Sequence, residues 1–76
     1  MNVKVYTMPT CSHCKEAKSF FERNNVEYEE IDITKNEKAR NKLLSKGYTS
    51  VPVIQIEDEE ILGFDQDKVS SLLGIK

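Results

Sequence analysis

The stretch Val3–Cys14, VKVYTMPTCSHC, combines a strand pattern, a turn and two closely spaced cysteines. Val3–Thr7 alternates apolar and polar positions over β-branched residues, which predicts a strand, and Pro9 then interrupts the pattern. Cys11 and Cys14 follow at the beginning of an amphipathic segment. The stretch therefore predicts a strand that leads through a turn into a helix beginning at the cysteines.

The next two elements follow from periodicity. Apolar positions recur every three or four residues as far as about Asn24, which predicts that the first helix ends there. A second strand is predicted over 26–33. Its apolar alternation slips by one residue midway, and a bend or bulge near Glu29-Glu30 would explain the slip.

Capping and turn residues delimit the remaining elements. Thr34 and Glu37 fit a capping box that begins a second helix, and Gly47 occupies the usual position after a helix end. The segments 51–56 and 60–62 predict a closing hairpin.

A third helix is predicted between Asp65, as its N-cap, and Gly74, as its stop signal. Right-handed crossover makes the first two strands parallel, and the hairpin adds an antiparallel pair. The chain is therefore expected to form an α/β fold with a four-stranded mixed sheet and helices on its faces.

The composition predicts one domain over 1–76 that binds neither nucleic acid nor a membrane. Of the 76 residues, 38% are hydrophobic, and charges of both signs along the chain leave a net charge of -2. No basic stripe is present to neutralise phosphates or lipid headgroups. The segment Met1–Val5 lacks the apolar core of a signal peptide, so we expect a cytoplasmic protein.

The spacing of Cys11 and Cys14 indicates redox chemistry, because a disulfide that closes so short a loop is a weak structural staple. Cys11 falls at the helix start, where unpaired N–H groups and the helix dipole favour a thiolate. Cys14 lies on the apolar stripe of the helix and should keep its proton. These positions assign Cys11 as the nucleophile and Cys14 as the resolving thiol.

His13, between the cysteines, has two interpretations. An imidazolium or an N–H donor at this position would stabilise the Cys11 thiolate and make the pair more oxidising. The alternative is that His13 is an exposed polar residue of the helix.

Two other classes of function use the same residues. Cys11, His13 and Cys14 are all possible zinc ligands, but a closed site needs four ligands and the chain has no other Cys or His, so no metal site is predicted. The other class is a non-catalytic binding module in which the cysteines merely pack. Inert cysteines usually lie on strands or inside helices, which disfavours that interpretation.

The segments around the cysteines resemble the glutaredoxin family of the thioredoxin superfamily. A Cys-x-x-Cys pair after the first strand of a βαβ pattern is typical of the superfamily. Tyr6–Cys14 resembles the family's active-site segment, Thr49-Ser50-Val51-Pro52 its Thr-Val-Pro motif, and Gly63-Phe64-Asp65 its glycine-rich turn and helix cap. The resemblance implies the thioredoxin fold, β-α-β-α-β-β-α with strand order 2-1-3-4 and three flanking helices, and a thiol–disulfide oxidoreductase.

The resemblance also implies a binding site. The Val51-Pro52 peptide bond is expected to be cis and to lie opposite the cysteines, with the Val51 backbone pairing to the cysteinyl part of a bound thiol. Without the resemblance, Pro52 would be a strand-start residue and Asp65 an ordinary helix cap. The residues expected to bind substrate or glutathione are Thr10, His13, Val51, Pro52, Gly63, Phe64 and Asp65, the last three at the γ-glutamyl end.

The same resemblance implies the partners. We expect a monomer that reduces protein or glutathione mixed disulfides, without a tightly bound cofactor, and with glutathione or a thioredoxin reductase as electron donor.

Three positions depart from the family pattern. Met8 stands where glutaredoxins usually carry a basic residue, Leu62 replaces the first glycine of their turn, and Ser12 replaces their common proline. The Gly63-Phe64 turn also resembles the glutaredoxin-like hydrogen donors of ribonucleotide reductase, so the donor stays open. A glutathione-dependent iron–sulfur cluster, bridged by Cys11 of two chains, is the remaining alternative.

Overall fold

The computed structural model describes residues 2–49 and 51–74 as a four-stranded sheet with three helices. Two residues named above lie outside the described residues. They are Met1, in the segment tested as a signal peptide, and Ser50, in the motif that resembles Thr-Val-Pro. The elements in chain order are β1 (Val3–Thr7), α1 (Ser12–Arg23), β2 (Glu29–Asp32), α2 (Glu37–Ser45), β3 (Val53–Ile56), β4 (Glu59–Leu62) and α3 (Gln66–Leu73).

The sheet has the strand order β2-β1-β3-β4. β1 pairs with β2 in parallel, and the β1–β3 and β3–β4 pairs are antiparallel. The expected thioredoxin fold, with its mixed sheet of order 2-1-3-4, is therefore confirmed. β1 lies in the interior of the sheet, so the loop that follows it carries the cysteines to the end of the central strands.

Apolar side chains form one cluster on each face of the sheet, because alternate residues of a strand point to opposite faces. The larger cluster joins the sheet to α1 and α3, and the smaller one joins it to α2. The larger cluster contains Val3, Val5, Ala17, Phe20, Phe21, Ile54, Ile56, Ile61 and Val69, and the smaller one contains Tyr6, Ala39, Leu43 and Val53. This packing holds α1, and with it both cysteines, firmly against the sheet.

Of the bend or bulge predicted near Glu29-Glu30, the bulge is wrong. β2 pairs residue by residue with β1 in an unbroken parallel register. Val26 and Tyr28 pack against the larger cluster, whereas Ile31 and Ile33 pack against the smaller one. The slip in the apolar pattern therefore marks a segment that contributes to both faces of the sheet, and no extra residue is inserted.

The N-cap predicted for α2 is also wrong. Asn36 caps the helix, and its side-chain oxygen accepts a hydrogen bond from the Ala39 N–H at 3.0 Å. Thr34 instead donates its own N–H to Asp32 Oδ1 at 2.9 Å in the turn after β2. Asn is as good an N-cap as Ser or Thr, so the later residue takes the position once Thr34 is engaged in the turn. Gly47, with φ +84°, ends the helix as predicted.

The last three elements follow the predicted order. β3 begins at Val53, two residues later than predicted, and Glu57 and Asp58 form the turn into β4. The predicted cap of α3 is confirmed, because Asp65 Oδ1 accepts a hydrogen bond from the Lys68 N–H at 3.2 Å. Gly74 ends α3 in the left-handed conformation.

The longest helix over residues 2–49 and 51–74 is α1, with 12 residues. No helix in these two ranges has the length and apolar character needed to span a bilayer.

Candidate active site

Cys11 is the N-cap of α1, and its sulfur performs the capping. The Cys14 N–H donates a hydrogen bond to Cys11 Sγ at 3.1 Å, which is the bond that a Ser or Asp oxygen would accept at this position. The Cys11 backbone N–H bonds to the Met8 carbonyl at 3.2 Å and closes the turn after β1. The positive end of the helix dipole thus lies at a half-exposed sulfur, which favours negative charge there.

Cys14 lies behind Cys11 in the core and is only 1% exposed. Burial first, and then the adjacent Cys11 sulfur, raise the pKa of the Cys14 thiol to about 12, while the Met8 backbone opposes the shift. Both cysteines are free thiols. The prediction that Cys14 is the more buried of the two is confirmed.

The loop before β3 completes the site around Cys11. The Val51-Pro52 peptide bond is cis, as the family resemblance implies. The Cys11 thiol approaches the Val51 carbonyl oxygen at 3.7 Å, although the two residues are 40 positions apart in the chain. Val51 is half-buried and Pro52 is buried. The structure therefore brings the second predicted motif directly against the first cysteine.

The third predicted segment is linked to the same loop. The Gly63 N–H donates a short hydrogen bond of 2.7 Å to the Pro52 carbonyl, and Gly63 has the positive φ, +84°, that favours glycine. Phe64 is half-buried, and its ring centroid lies 5.6 Å from that of Phe20 on α1. Asp65 is exposed at the start of α3. The segment is thus placed by the cis-proline loop on one side and by α1 on the other.

Thr10 and His13 both lie on the outer surface of the site. Thr10 is exposed in the turn that precedes α1. The His13 side chain is 72% exposed, and its Nδ1 lies 3.5 Å from Glu16 Oε2, one turn further along the helix. His13 therefore has the exposed position of the alternative interpretation, and an effect on the Cys11 thiolate stays a prediction.

A pocket of about 410 Å³ opens beside Cys11, between α2 and the loops after β1 and before β3. Most of its lining is apolar, and Arg40 supplies its positive charge. Its lining residues are Met8, Ile33, Thr34, Arg40, Leu43, Leu44, Tyr48, Thr49 and Val51. Arg40 and Tyr48 were not predicted from the sequence, because only the packing of α2 against the sheet brings them to the pocket.

The arrangement suits a two-step exchange of thiols and disulfides. The accessible sulfur lies at a helix N-terminus, where a thiolate is stabilised, and a buried thiol follows three residues later on the same first turn. Within 2–49 and 51–74, no group of three or more His, Cys, Asp and Glu side chains is arranged to hold a metal ion.

Comparison with known proteins agrees with this geometry. The family model described as Glutaredoxin matches residues 3–61. Glutaredoxin 3 of Escherichia coli is 35% identical over 65 residues, which cover 84% of this chain and 78% of that protein.

Two solved structures cover nearly the whole chain. The thioredoxin-like protein BC3987 is 41% identical, with a TM-score of 0.84, over 92% of this chain and 97% of that one. The glutaredoxin-like protein NrdH-redoxin from Escherichia coli is 26% identical, with a TM-score of 0.89, over 95% of each chain. Together with the Cys-x-x-Cys pair at the start of α1 and the cis-proline loop beside it, these matches show that the chain belongs to the glutaredoxin family.

Proposed function

We propose that the chain is a dithiol thiol–disulfide oxidoreductase that reduces protein disulfides or mixed disulfides of proteins with glutathione. The observation that carries the proposal is the placement of the Cys11 sulfur, half exposed at the N-terminus of α1, directly before the buried Cys14. One sulfur is open to a substrate and the other is held behind it. A disulfide exchange in two steps needs this division of roles.

The reaction begins when the Cys11 thiolate attacks one sulfur of the substrate disulfide. The other substrate sulfur leaves as a thiolate and takes up a proton. Cys14 then loses its proton and attacks the Cys11 sulfur of the mixed disulfide, so that the second substrate sulfur leaves. The substrate gains two electrons, and the chain is left with a Cys11–Cys14 disulfide that a donor must reduce.

The expected binding residues take supporting roles in this proposal. The Val51 backbone pairs with the cysteinyl unit of the substrate beside Cys11, and buried Pro52 holds that backbone in place. Gly63, Phe64 and Asp65 receive the γ-glutamyl end when the bound thiol is glutathione. Thr10 and His13 contact the substrate at the exposed edge of the site.

Two electron donors suit the family, and different features support each. Glutathione is supported by the likeness to glutaredoxin 3 and by Gly63, Phe64 and Asp65. A thioredoxin reductase is supported by the likeness to NrdH-redoxin, whose structure is described as the basis of a thioredoxin-like activity profile, and by apolar Met8 beside Cys11. Either donor would keep the dithiol reduced in the cytoplasm, where we place its part in electron transport and redox homeostasis.

The donor is tested by recycling the oxidised protein in two parallel assays. One contains glutathione, glutathione reductase and NADPH, and the other contains thioredoxin reductase and NADPH. Oxidation of NADPH that depends on the protein and on a disulfide substrate, in either assay, is the expected result. Absence of turnover in both would overturn the proposed function.

The order of the two sulfurs is tested with Cys14→Ser. This variant should accumulate a mixed disulfide between Cys11 and a model disulfide, because the second attack is lost while the first remains. Cys11→Ser is the matched control and should form no adduct. An adduct on Cys14 in place of Cys11 would contradict the assigned roles.

A further inference from the structure

The second step of the proposed reaction poses an electrostatic problem. Cys14 must lose its proton while it is 1% exposed, and in the reduced protein burial and the neighbouring Cys11 sulfur raise the pKa of its thiol to about 12. Once Cys11 is bonded to substrate, its sulfur carries no negative charge, and its contribution to the pKa of Cys14 is lost. The groups that then favour a Cys14 thiolate are the Met8 N–H and the positive charge of Lys18.

Lys18 lies four residues after Cys14 on α1, so the two side chains occupy the same face of the helix on adjacent turns. Its ammonium group forms an ion pair with Glu30 on β2, with Nζ and Oε2 2.7 Å apart. The Lys18 side chain is 26% exposed, so its charge is only partly screened by water. The helix and the neighbouring strand thus hold the Lys18–Glu30 ion pair on the face of α1 that carries Cys14.

Thr7 fixes the other side of this ion pair. Thr7 is 2% exposed at the end of β1, and its hydroxyl donates a hydrogen bond to Glu30 Oε2 at 3.2 Å. It is the last residue of β1 before Met8, whose N–H faces Cys14. The carboxylate is therefore held from two sides and keeps the ammonium group in one place.

The remaining charged neighbours leave the ion pair intact over the useful pH range. The hydrogen bond to Glu30 raises the pKa of Lys18, and the same contact lowers the pKa of Glu30. Tyr28, whose own pKa is raised by burial, also faces Lys18, and Asp32 faces Glu30. Lys18 is consequently charged at every pH at which the exchange is assayed.

We propose that Lys18, positioned by Glu30 and Thr7, accelerates the attack of Cys14 on the mixed disulfide by stabilising the Cys14 thiolate as it forms. The Cys14 proton passes to water, the Cys14 sulfur bonds to the Cys11 sulfur, and the bond between Cys11 and the substrate breaks. The substrate sulfur leaves as a thiolate. Lys18 takes no part in the first attack. This inference rests on the proposed function and deepens it.

The size of the effect follows from the chemistry of thiol exchange. If Lys18 lowers the cost of the thiolate by about one pKa unit, its removal reduces the thiolate population about tenfold. The remaining thiolate is more basic and therefore more nucleophilic, and a Brønsted slope of about 0.4–0.5 recovers roughly threefold. Loss of the charge should slow the second step about threefold to fourfold.

The test separates the two steps with dithiobis-nitrobenzoate, a disulfide whose thiolate product is coloured. In stopped-flow mixing, attack by Cys11 releases one equivalent of colour and attack by Cys14 releases a second. Lys18→Met keeps the length of the side chain and removes the charge, and Lys18→Arg restores the charge. Lys46→Met is the matched control, because Lys46 also pairs with a glutamate, Glu60, and does not act on Cys14.

We expect the second phase to slow about threefold to fourfold in Lys18→Met only, with an unchanged first phase. Added salt should slow the second phase of the unmodified protein and of Lys18→Arg more than that of Lys18→Met, because it screens a partly exposed charge. An unchanged second phase in Lys18→Met, or equal slowing in Lys46→Met, would overturn the role of Lys18. A missing first phase in the unmodified protein would instead overturn the proposed function itself.

Discussion

The sulfur of Cys11 accepts a hydrogen bond from the backbone N–H of Cys14 at 3.1 Å, so the sulfur proposed as the nucleophile is also the cap of α1. The N–H groups of the first helical turn have no partners within the helix, and a cap satisfies one of them. The same bond stabilises negative charge on the sulfur. Stability and reactivity are therefore coupled at one atom, and substitutions can separate them.

Cys11→Ser and Cys11→Ala should differ in stability and agree in activity. A serine hydroxyl can accept the bond from the Cys14 N–H, whereas alanine leaves that N–H without its cap. We expect Cys11→Ala to be about 1 kcal/mol less stable than Cys11→Ser in urea unfolding of the reduced proteins. Both variants should lack disulfide reductase activity. Equal stability of the two variants would mean that the sulfur does not act as the cap.

The buried thiol of Cys14 should make the reduced protein sensitive to alkaline pH. Its pKa is raised from 9.0 to about 12, so the folded state favours the neutral thiol and the unfolded state ionises first. The resulting stability is fully present below pH 9 and is lost as the pH rises toward about 12. In Cys14→Ala, the free energy of unfolding should fall less steeply over this interval. Parallel curves for the two proteins would contradict the burial of the thiol.

Asp65 has a structural role as the cap of α3 and an expected role at the γ-glutamyl end of glutathione. Asn caps as well as Asp, so Asp65→Asn should keep the stability of the protein, and Asp65→Ala should lose about 1 kcal/mol. Both variants should show a higher KM for glutathionylated substrate, because both lose the negative charge. An unchanged KM in Asp65→Asn would limit Asp65 to the structural role.

Substitution of Met8 tests whether the protein prefers glutathione or a thioredoxin reductase as its electron donor. It lines the pocket beside Cys11 and is 37% exposed, at the position where glutaredoxins usually carry a basic residue. Met8→Lys adds a positive charge that can pair with the glycyl carboxylate of bound glutathione. An exposed ion pair of this kind should improve glutathione-dependent turnover about twofold to fivefold. Met8→Gln, which is polar and uncharged, is the control. Equal effects of the two substitutions would show that charge at this position does not govern the use of glutathione.

Much of the fold and the centre of the site could be predicted from local patterns. Strand alternation gave the bounds of β1, and the caps at Asp65 and Gly74 gave those of α3, because these signals depend on neighbouring residues only. The cap of α2 was misplaced, since Thr34 and Asn36 are both acceptable caps and the turn after β2 decides between them.

The features that were missed depend on contacts between layers. Lys18 and Glu30 carry no motif, and their contact arises because α1 packs on β1, whose neighbour in the sheet is β2. Arg40 reaches the pocket only through the packing of α2 against the sheet. Spacing along the chain does not encode such contacts. The contact between Cys11 and Val51 could be predicted only because the family resemblance places the Val51-Pro52 bond opposite the cysteines.

Alkylation of the reduced protein by iodoacetamide at about pH 6 tests whether Cys11 is an accessible thiolate and Cys14 a buried thiol. We expect Cys11 to be labelled faster than free cysteine, with Cys14 unmodified while the protein remains folded. Peptide mapping after a brief reaction identifies the labelled residue, and Cys14→Ser should be labelled at the same rate. Labelling of Cys11 no faster than free cysteine, or labelling of Cys14 first, would contradict an accessible thiolate backed by a buried thiol.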